Sequence, residues 1–535
     1  MNKFFLSLII FTAMLLRFLN LGSNPPSLTW DEAAWGYNAY SLGIDGRDEF
    51  GRFLPYDYLE SFGDFKPPVY AYLDILPVKL FGLTEFATRF PSALMGVLTV
   101  FLTYFLVKEI FKNSQKKEIY ALVSSFLLAI SPWHIMLSRA AFEANVATFF
   151  TTCGIWLFLK GRENKWGFSL SAISFVLSIY TFNSARIVAP LLVLFLVGMF
   201  HKDITKKKKQ ATTAFFIGFI LILPIVKFLF SPQATLRFKE VNIFSDFNII
   251  KRVNQQIEND HNARWSSVLH NRRFVFTVEY LKHYFDNLSS SFLFIKGDGN
   301  PKFSTQQVGQ LYMWEIPFLI AGVLFLIRKK EGLWLLVPIW LLIGIIPAGS
   351  ARETPHALRI EASLPTFQIL VAYGLINSME KLKRWKLVTA GLSLVIFFNL
   401  IYFLHDYYVH YPVHYSREWQ YGYKESVRYV VGVQNNFKKV WVTQNLGRPY
   451  MYYLFYLHYN PSTFRTNSDI KRDVFGFVHV KRFDKYFFGD NNRISRAEGK
   501  GSLFVNTYDQ VPNNAKILKD FKLLNRDSYL VVYTK

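Results

Sequence analysis

The fold class the sequence predicts is an α-helical polytopic membrane protein of about eleven transmembrane helices, followed by a small soluble α/β domain. Three observations predict it. Apolar residues make up 51% and aromatic residues 18% of 535 positions, which is too greasy for an ordinary soluble chain. Apolar runs near bilayer-spanning length recur along the chain. Every second connection between those runs is rich in Lys and Arg, the pattern that short, non-translocated loops carry.

The first run, 4–21, follows Lys3 and holds Arg17 near its end. No small-x-small cleavage site follows, so an uncleaved first helix is expected. Further helices are expected at 86–107, 118–137, 143–160, 166–182, 186–200, 212–230, 312–327, 333–347, 359–378 and 387–404. Basic clusters fall at 108–117, 160–165, 202–209, 328–330 and 381–386. With the N-terminus in the cytoplasm all five are cytoplasmic, and 22–85, 231–311 and 405–535 lie on the other side. The formal charge of +23 is therefore mostly a topology signal, and nucleic acid is not an expected partner. Cys153 is the single cysteine and sits in an apolar run, so disulfides play no part.

The outer segments differ in character. Residues 22–85 are punctuated by Asn24-Pro25-Pro26, Gly43, Gly46, Gly51 and Gly63, with amphipathic stretches at 30–42 and 67–82 that suit the bilayer interface. The 231–311 segment is polar and aromatic, with short helices, like a loop capping a cavity. From 417 onward helical and strand patterns alternate. The division expected is a membrane domain over 1–404, with outer loops 22–85 and 231–311, and an extracytoplasmic α/β domain over 405–535.

The residues able to carry chemistry gather at the outer surface. Thr29-Trp30-Asp31-Glu32 reads as a capping box, with Glu32 reaching back to the N-cap. Asp31, Trp35 and Asn38 then share one helix face. An acid beside an indole and an amide can orient a hydroxyl-bearing ring and accept its proton; the plain alternative is an acid complementing the helix dipole. In Asp64-Phe65-Lys66-Pro67-Pro68-Val69-Tyr70, Lys66 stands at a helix mouth, suited to a phosphate. Its plain alternative is an interfacial lysine meeting headgroups. Arg89 opens the second spanning helix, Arg139 and Glu143 flank the fourth, Asn183 and Arg186 occupy the next outer turn, and His356 and Arg359 the turn before 359–378. Together they fit an anion-binding cleft at the membrane face. No metal signature, P-loop, dinucleotide fingerprint or Gly-x-Ser-x-Gly elbow occurs. A divalent metal stays open as a cofactor, since acidic pairs with a distant histidine could hold one.

The acidic pair in the first outer loop, then KPPVYAYL, then ATRFPSALMGVLTVFLTYFLVKEIF, resembles the membrane glycosyltransferases of the GT-C superfold. The nearer resemblance is to the bacterial branch grouped with glycosyltransferase family 39 and the protein O-mannosyltransferases. SPWHIMLSRAAFEANVATFF, SSSFLFIKGDGNPKFSTQQVGQLYMWEIPFLIAGVLFLI and HDYYVHYP with REWQYGYKESV extend it along the chain. The resemblance implies transfer of a sugar from a polyprenyl-phosphate donor to an acceptor hydroxyl on a glycan, lipid or protein, with inversion. It makes Asp31 the general base with Glu32 beside it, and Glu143 the second acid near the acceptor. Lys66 and Arg89 would hold the carrier phosphate, with His356 and Arg359 as further phosphate contacts. Trp35, Asn38, Tyr70, Arg139 and Arg186 would line the substrate. The alternatives are a transporter or lipid flippase, disfavoured by helix interiors nearly free of charge, and a ligase using a lipid-diphosphate donor.

Overall fold

The computed structural model describes every residue except 1, 232–233, 236–241, 381, 383 and 474–476. Lys381 and Lys383 of the last basic cluster therefore lie outside the described residues. The chain divides into two compact units. The first comprises Met1–Leu16, Met95–Leu137 and Glu143–Phe403; the second comprises Arg17–Leu94, Ser138–Phe142 and Leu404–Lys535.

The first unit is helical. It contains most of α1 (Asn2–Phe18) and the later part of α4 (Glu85–Ile110), whose N-terminal turns belong to the second unit together with α2 (Trp30–Asp45) and α3 (Val69–Phe81). Next come α5 (Lys117–Ile130), α6 (Pro132–Ser138), α7 (Glu143–Gly161), α8 (Gly167–Ile179), α9 (Ala185–Met199), α10 (His201–Lys206) and α11 (Lys208–Leu229). Helices over Phe247–Asn259, Arg264–Leu269 and Arg272–Asp286 occupy the 231–311 segment, and Ile316–Lys329, Leu336–Gly349, Thr366–Met379 and Trp385–His405 follow. Gly322 and Gly374 let two of these approach closely, for a Cβ at either would strike Leu370 O or Phe318 O on the other.

Among the described residues, three helices are long and apolar enough to cross a membrane: Glu85–Ile110, Lys208–Leu229 and Trp385–Tyr415. The α5–α6 pair, bent by 59°, makes a fourth if it counts as one span. The expected count of eleven is not reached by that measure. Several expected spans are short: Leu336–Gly349 has 14 residues, and a helix of that length runs about 21 Å against a hydrocarbon core of about 30 Å. The expected helix 118–137 breaks at Ser131-Pro132, where proline removes a hydrogen bond and clashes with the preceding turn. The expected helix 359–378 begins only at Thr366, after a 3₁₀ turn over Glu361–Ser363.

The second unit joins residues 17–94 to the C-terminal segment. Thr29 caps α2 through the full capping box, and Gly46 closes it in the left-handed region at φ 72°. β1 (Leu59–Ser61) and β2 (Asp64–Lys66) pair antiparallel, with Phe62 and Gly63 at φ 61° and 85° forming the two-residue turn. The remaining strands are β3 (Lys439–Thr443), β4 (Ser468–Arg472), β5 (Val478–Phe483), β6 (Tyr486–Gly489), β7 (Ser502–Asn506), β8 (Lys516–Lys522) and β9 (Ser528–Thr534). They build one mixed sheet in the order β4-β5-β6-β3-β7-β9-β8, with β3 parallel to β6 and β7. Its core is shared: Leu28, Ala33, Tyr37 and Phe62 pack in one cluster with Val442, Tyr450, Phe464 and Leu530. That corrects the expected boundary at 405. Residues 22–85 are too few to bury their own aromatics, so they fold with the C-terminal segment as one body.

Candidate active site

In the second unit the site is assembled around the first turn of α2. The capping box uses both partners: the Thr29 N–H donates to Glu32 Oε2 at 2.9 Å and the Glu32 N–H to Thr29 Oγ1 at 3.2 Å. That fixes the helix start and turns Asp31 outward. Its carboxylate pairs with Lys66 Nζ. The Asp31 side chain is 53% exposed and that of Lys66 10%. Beneath them lies Trp35, with Lys66 Nζ 5.2 Å from its ring centroid and the Tyr70 ring 5.4 Å from it. Phe62 flanks the ammonium at 5.5 Å from the other direction. An ammonium held over two aromatic faces is attracted by both ring quadrupoles. The short hairpin carries Lys66 back to α2, which is why residues 35 positions apart in sequence meet.

Glu32 and Arg89 occupy the interior behind this pair. Arg89 Nε donates to Glu32 Oε1 at 2.9 Å and Nη2 to Oε2 at 3.3 Å, both side chains being almost wholly buried. The remaining Arg89 donors go to the carbonyls of Leu21, Pro25 and Ser27. A guanidinium has five N–H donors, and these five bonds use them. The expectation that Arg89 meets a carrier phosphate is corrected accordingly: its charge is spent on the buried carboxylate and the chain entry into α2. Glu32 likewise receives the Ala141 N–H at 3.0 Å, so it ties three chain segments together and does not face a substrate. Burial of this kind is tolerated because both charges are fully paired.

Four expected substrate contacts also turn out to be supports. Asn38 is buried, accepts the Glu49 N–H at 2.9 Å and donates to Ala34 O at 3.0 Å. Tyr70 Oη donates to Thr88 O at 2.8 Å. Arg139 is buried against Tyr407 and donates to the carbonyls of Leu19 and Asn24. Trp35, 2% exposed, forms the floor under Lys66. Of the expected site residues in this unit, the one whose side chain stays at the surface is Asp31, backed by Lys66.

Sequence reading missed Glu49. Its Oε1 accepts from Ser61 Oγ at 3.0 Å, and its Oε2 has no hydrogen-bond partner. Burial pushes its carboxyl up to about 8, with Asp48 adding to the rise. A group whose folded pKa is raised favours folding below its unfolded pKa and loses that contribution as pH rises through the folded value. Local protection of 46–61 against hydrogen exchange should therefore fall between about pH 4.5 and 8, and Glu49→Gln should flatten that slope. An unchanged slope in the Gln variant would assign the pH response to another group, such as Asp48, whose carboxyl burial also raises.

The other expected residues lie in the first unit. His356 is buried on the Phe303 ring, centroids 5.1 Å apart, and burial lowers its imidazole to about 3. Its backbone N–H donates to Asn287 Oδ1 at 2.9 Å. Asp298 receives the Ala357 N–H at 2.6 Å and is pushed up to about 6 by burial, with Arg359 opposing the rise. His356 is thus a neutral ring near pH 7. Arg186 rests over the Phe228 ring at 5.4 Å. Glu143 begins α7, and the 3₁₀ turn carrying Glu361 packs on that helix. Glu361 is fully buried, both of its oxygens lack a hydrogen-bond partner, and Glu143 lies within its electrostatic reach. The sequence signal for Glu361 was a lone carboxylate inside an apolar run. Among the described residues no three of His, Cys, Asp and Glu come together to hold a metal ion.

Residues 7–242 match the sequence profile of the family described as Dolichyl-phosphate-mannose-protein mannosyltransferase. An uncharacterized protein of Aquifex aeolicus (strain VF5) is 32% identical over 219 residues, 40% of this chain and 41% of the relative. YkcB of Bacillus subtilis (strain 168) is 29% identical over 147 residues, 26% of this chain and 20% of its own length. The chain thus spans less than half of the curated relatives it matches. ArnT from Cupriavidus metallidurans in the apo state superposes with a TM-score of 0.59 at 12% identity, covering 99% of this chain and 98% of that one. The same protein bound to undecaprenyl phosphate gives 0.57. The fold is that of ArnT, and residues 7–242, which include the acidic pair and Lys66, are similar to the family whose profile spans them.

Proposed function

We propose that this GT-C-fold chain of apolar helices is a membrane glycosyltransferase, moving a sugar from a polyprenyl-phosphate donor to an acceptor hydroxyl on the outer face of the membrane, with inversion. The observation that carries the reading is the Asp31–Lys66 pair, a surface carboxylate backed by a largely buried ammonium on a protein of this fold. The match to the mannosyltransferase profile and the likeness to a structure bound to undecaprenyl phosphate support it.

In this reading the donor phosphate competes with Asp31 for Lys66. The phosphate draws the ammonium to itself, and Asp31 is released beside the anomeric carbon. The acceptor hydroxyl then attacks C1 and passes its proton to the Asp31 carboxylate, since an alcohol is too weak an acid to attack unaided. The C1–oxygen bond breaks with its electron pair moving to the phosphate oxygen, and Lys66 stabilises that developing charge. Trp35 and Phe62 keep the ammonium in place. Glu32 and Arg89 hold the turn that sets Asp31. The acceptor is a glycan, lipid or protein hydroxyl.

Lys66→Ala tests the phosphate assignment. Turnover should fall by about 10²-fold, the scale for losing one charge-stabilising donor, with a rise in apparent KM for the lipid donor. Wild-type kinetics at limiting donor would make Lys66 an interfacial anchor only.

The orientation is tested by thiol labelling of intact cells. Cys153 lies within α7 and should resist membrane-impermeant reagents. Cysteines introduced at Asn300 or Asn491 should label and one at Gln210 should not. Labelling at 210 with protection at 491 would invert the topology and put Asp31 in the cytoplasm.

A further inference from the structure

The first unit holds an apolar groove of about 490 Å³ between α8, α9 and α11, lined by Phe168, Phe175, Val193, Phe215, Gly218 and Phe219 among others. That volume lies in the range of sites that enclose small amphiphiles, about 300–1,000 Å³. One end is marked by Ile204 of α10 and Ala211 near the start of α11, both of which line it. The segment joining them carries four consecutive lysines, Lys206 to Lys209, and Lys202 lies two residues before Ile204.

Among the described residues these lysines form no ion pair. The neighbouring acid, Asp203, is taken by Arg162 Nε at 2.7 Å. Lys207 Nζ reaches Gly161 O at 3.4 Å. Among the described residues no carboxylate pairs with Lys202, Lys206, Lys208 or Lys209, and all four are exposed. The groove opens beside α11, which presents Phe215, Phe216, Phe219 and Ile220 outward. An apolar slot of this kind takes a hydrocarbon chain, and an unneutralised lysine cluster at its mouth takes an anionic headgroup. Basic pockets between membrane helices collect acidic lipids for both reasons together.

We infer that this groove is a binding site for an anionic phospholipid, its acyl chain between α8, α9 and α11 and its headgroup phosphate on Lys206, Lys208 and Lys209. The site uses none of the residues assigned to sugar transfer.

The test uses the purified full chain in nanodiscs, with retained lipid read by native mass spectrometry. Phosphatidylglycerol, phosphatidylcholine of the same chains and undecaprenyl phosphate are the three probes. Phosphatidylglycerol should be retained over phosphatidylcholine by on the order of tenfold, the scale expected of a few lysines near one anionic group. A Lys206→Gln, Lys208→Gln, Lys209→Gln triple variant should lose that preference and still retain lipid. Gly218→Leu should lower retention of both phospholipids, because a Cβ there meets only the Ala172 Cβ, at 3.6 Å, and further atoms enter the groove. Equal retention of the two phospholipids by the wild type, or an undiminished preference in the triple variant, would overturn the site. Undecaprenyl phosphate displacing phosphatidylglycerol at equal concentration would overturn the assignment to a phospholipid. The lysine variants are surface changes, so they decide the matter even if Gly218→Leu fails to fold.

Discussion

Asp31→Asn should leave a folded protein that still binds its lipid donor and turns over about 10²–10⁴-fold more slowly, the usual share of a general base. The amide is close to isosteric, and the cap formed by Thr29 and Glu32 does not involve residue 31. Asn cannot accept the acceptor proton, and it also removes the carboxylate that pairs with Lys66. Two consequences separate chemistry from packing. Thermal midpoint should stay within a few degrees of wild type, because residue 31 is itself half exposed and the Asn amide oxygen can still accept from the Lys66 ammonium. Donor affinity should hold or rise, because Lys66 no longer has an internal competitor for the phosphate. A well-folded variant with near-normal transfer would place the base elsewhere, with Glu143 the next candidate.

Glu32→Ala should be the most damaging single change to stability among the residues described. It removes the N-cap acceptor, the Ala141 anchor and the counter-charge of a fully buried guanidinium in one step. Breaking a buried pair from one side costs about 3–5 kcal/mol because the other charge is left uncompensated. The expected result is loss of folded protein in detergent extracts or a large fall in thermal midpoint. Glu32→Gln should cost less, since the amide oxygen still accepts the Thr29 N–H. Arg89→Lys should not rescue a site built for a five-donor fork, because an ammonium cannot reach Glu32 and three carbonyls at once. If Glu32→Ala folds normally and loses only activity, Glu32 belongs to the chemistry after all.

Much of the local structure was legible in the residues. Thr29-x-x-Glu32 announced the cap, the polar-aromatic composition of 231–311 announced short helices, and KVWVT and SYLVVYT announced strands through their β-branched and aromatic runs. Of the strands that went unseen, VHVKRF and YFFG carry the same signal in short runs, and the two edge strands are of another kind. SDIKR and KILKDFK alternate charge with few apolar residues, as edge strands do when they guard against further pairing. The bend at Pro132 and the late start of the helix at Thr366 were visible as prolines, yet the surrounding apolar runs hid them.

At the site, sequence spacing placed Asp31, Trp35 and Asn38 on one face but could not say how deep each lies. Burial makes the difference. Asn38 is drawn inside by Glu49 and Ser61, whereas Asp31 stays at the rim. Arginines at helix ends look alike in sequence, so Arg89 and Arg139 read as anion ligands until their carbonyl partners, more than sixty positions away, are known. Lys66 was identified from its place before two prolines, and its partnership with Asp31 is a product of the hairpin that follows residue 58.

The most direct measurement of the central claim is release of the lipid carrier by the purified full chain in liposomes, supplied with undecaprenyl monophosphate and diphosphate sugars in parallel with envelope-derived acceptors. The account predicts acceptor-dependent release of undecaprenyl phosphate from a monophosphate donor, lost on Asp31→Asn and weakened on Lys66→Ala. Consumption of diphosphate donors alone, or release from the monophosphate donor that Asp31→Asn leaves intact, would contradict it.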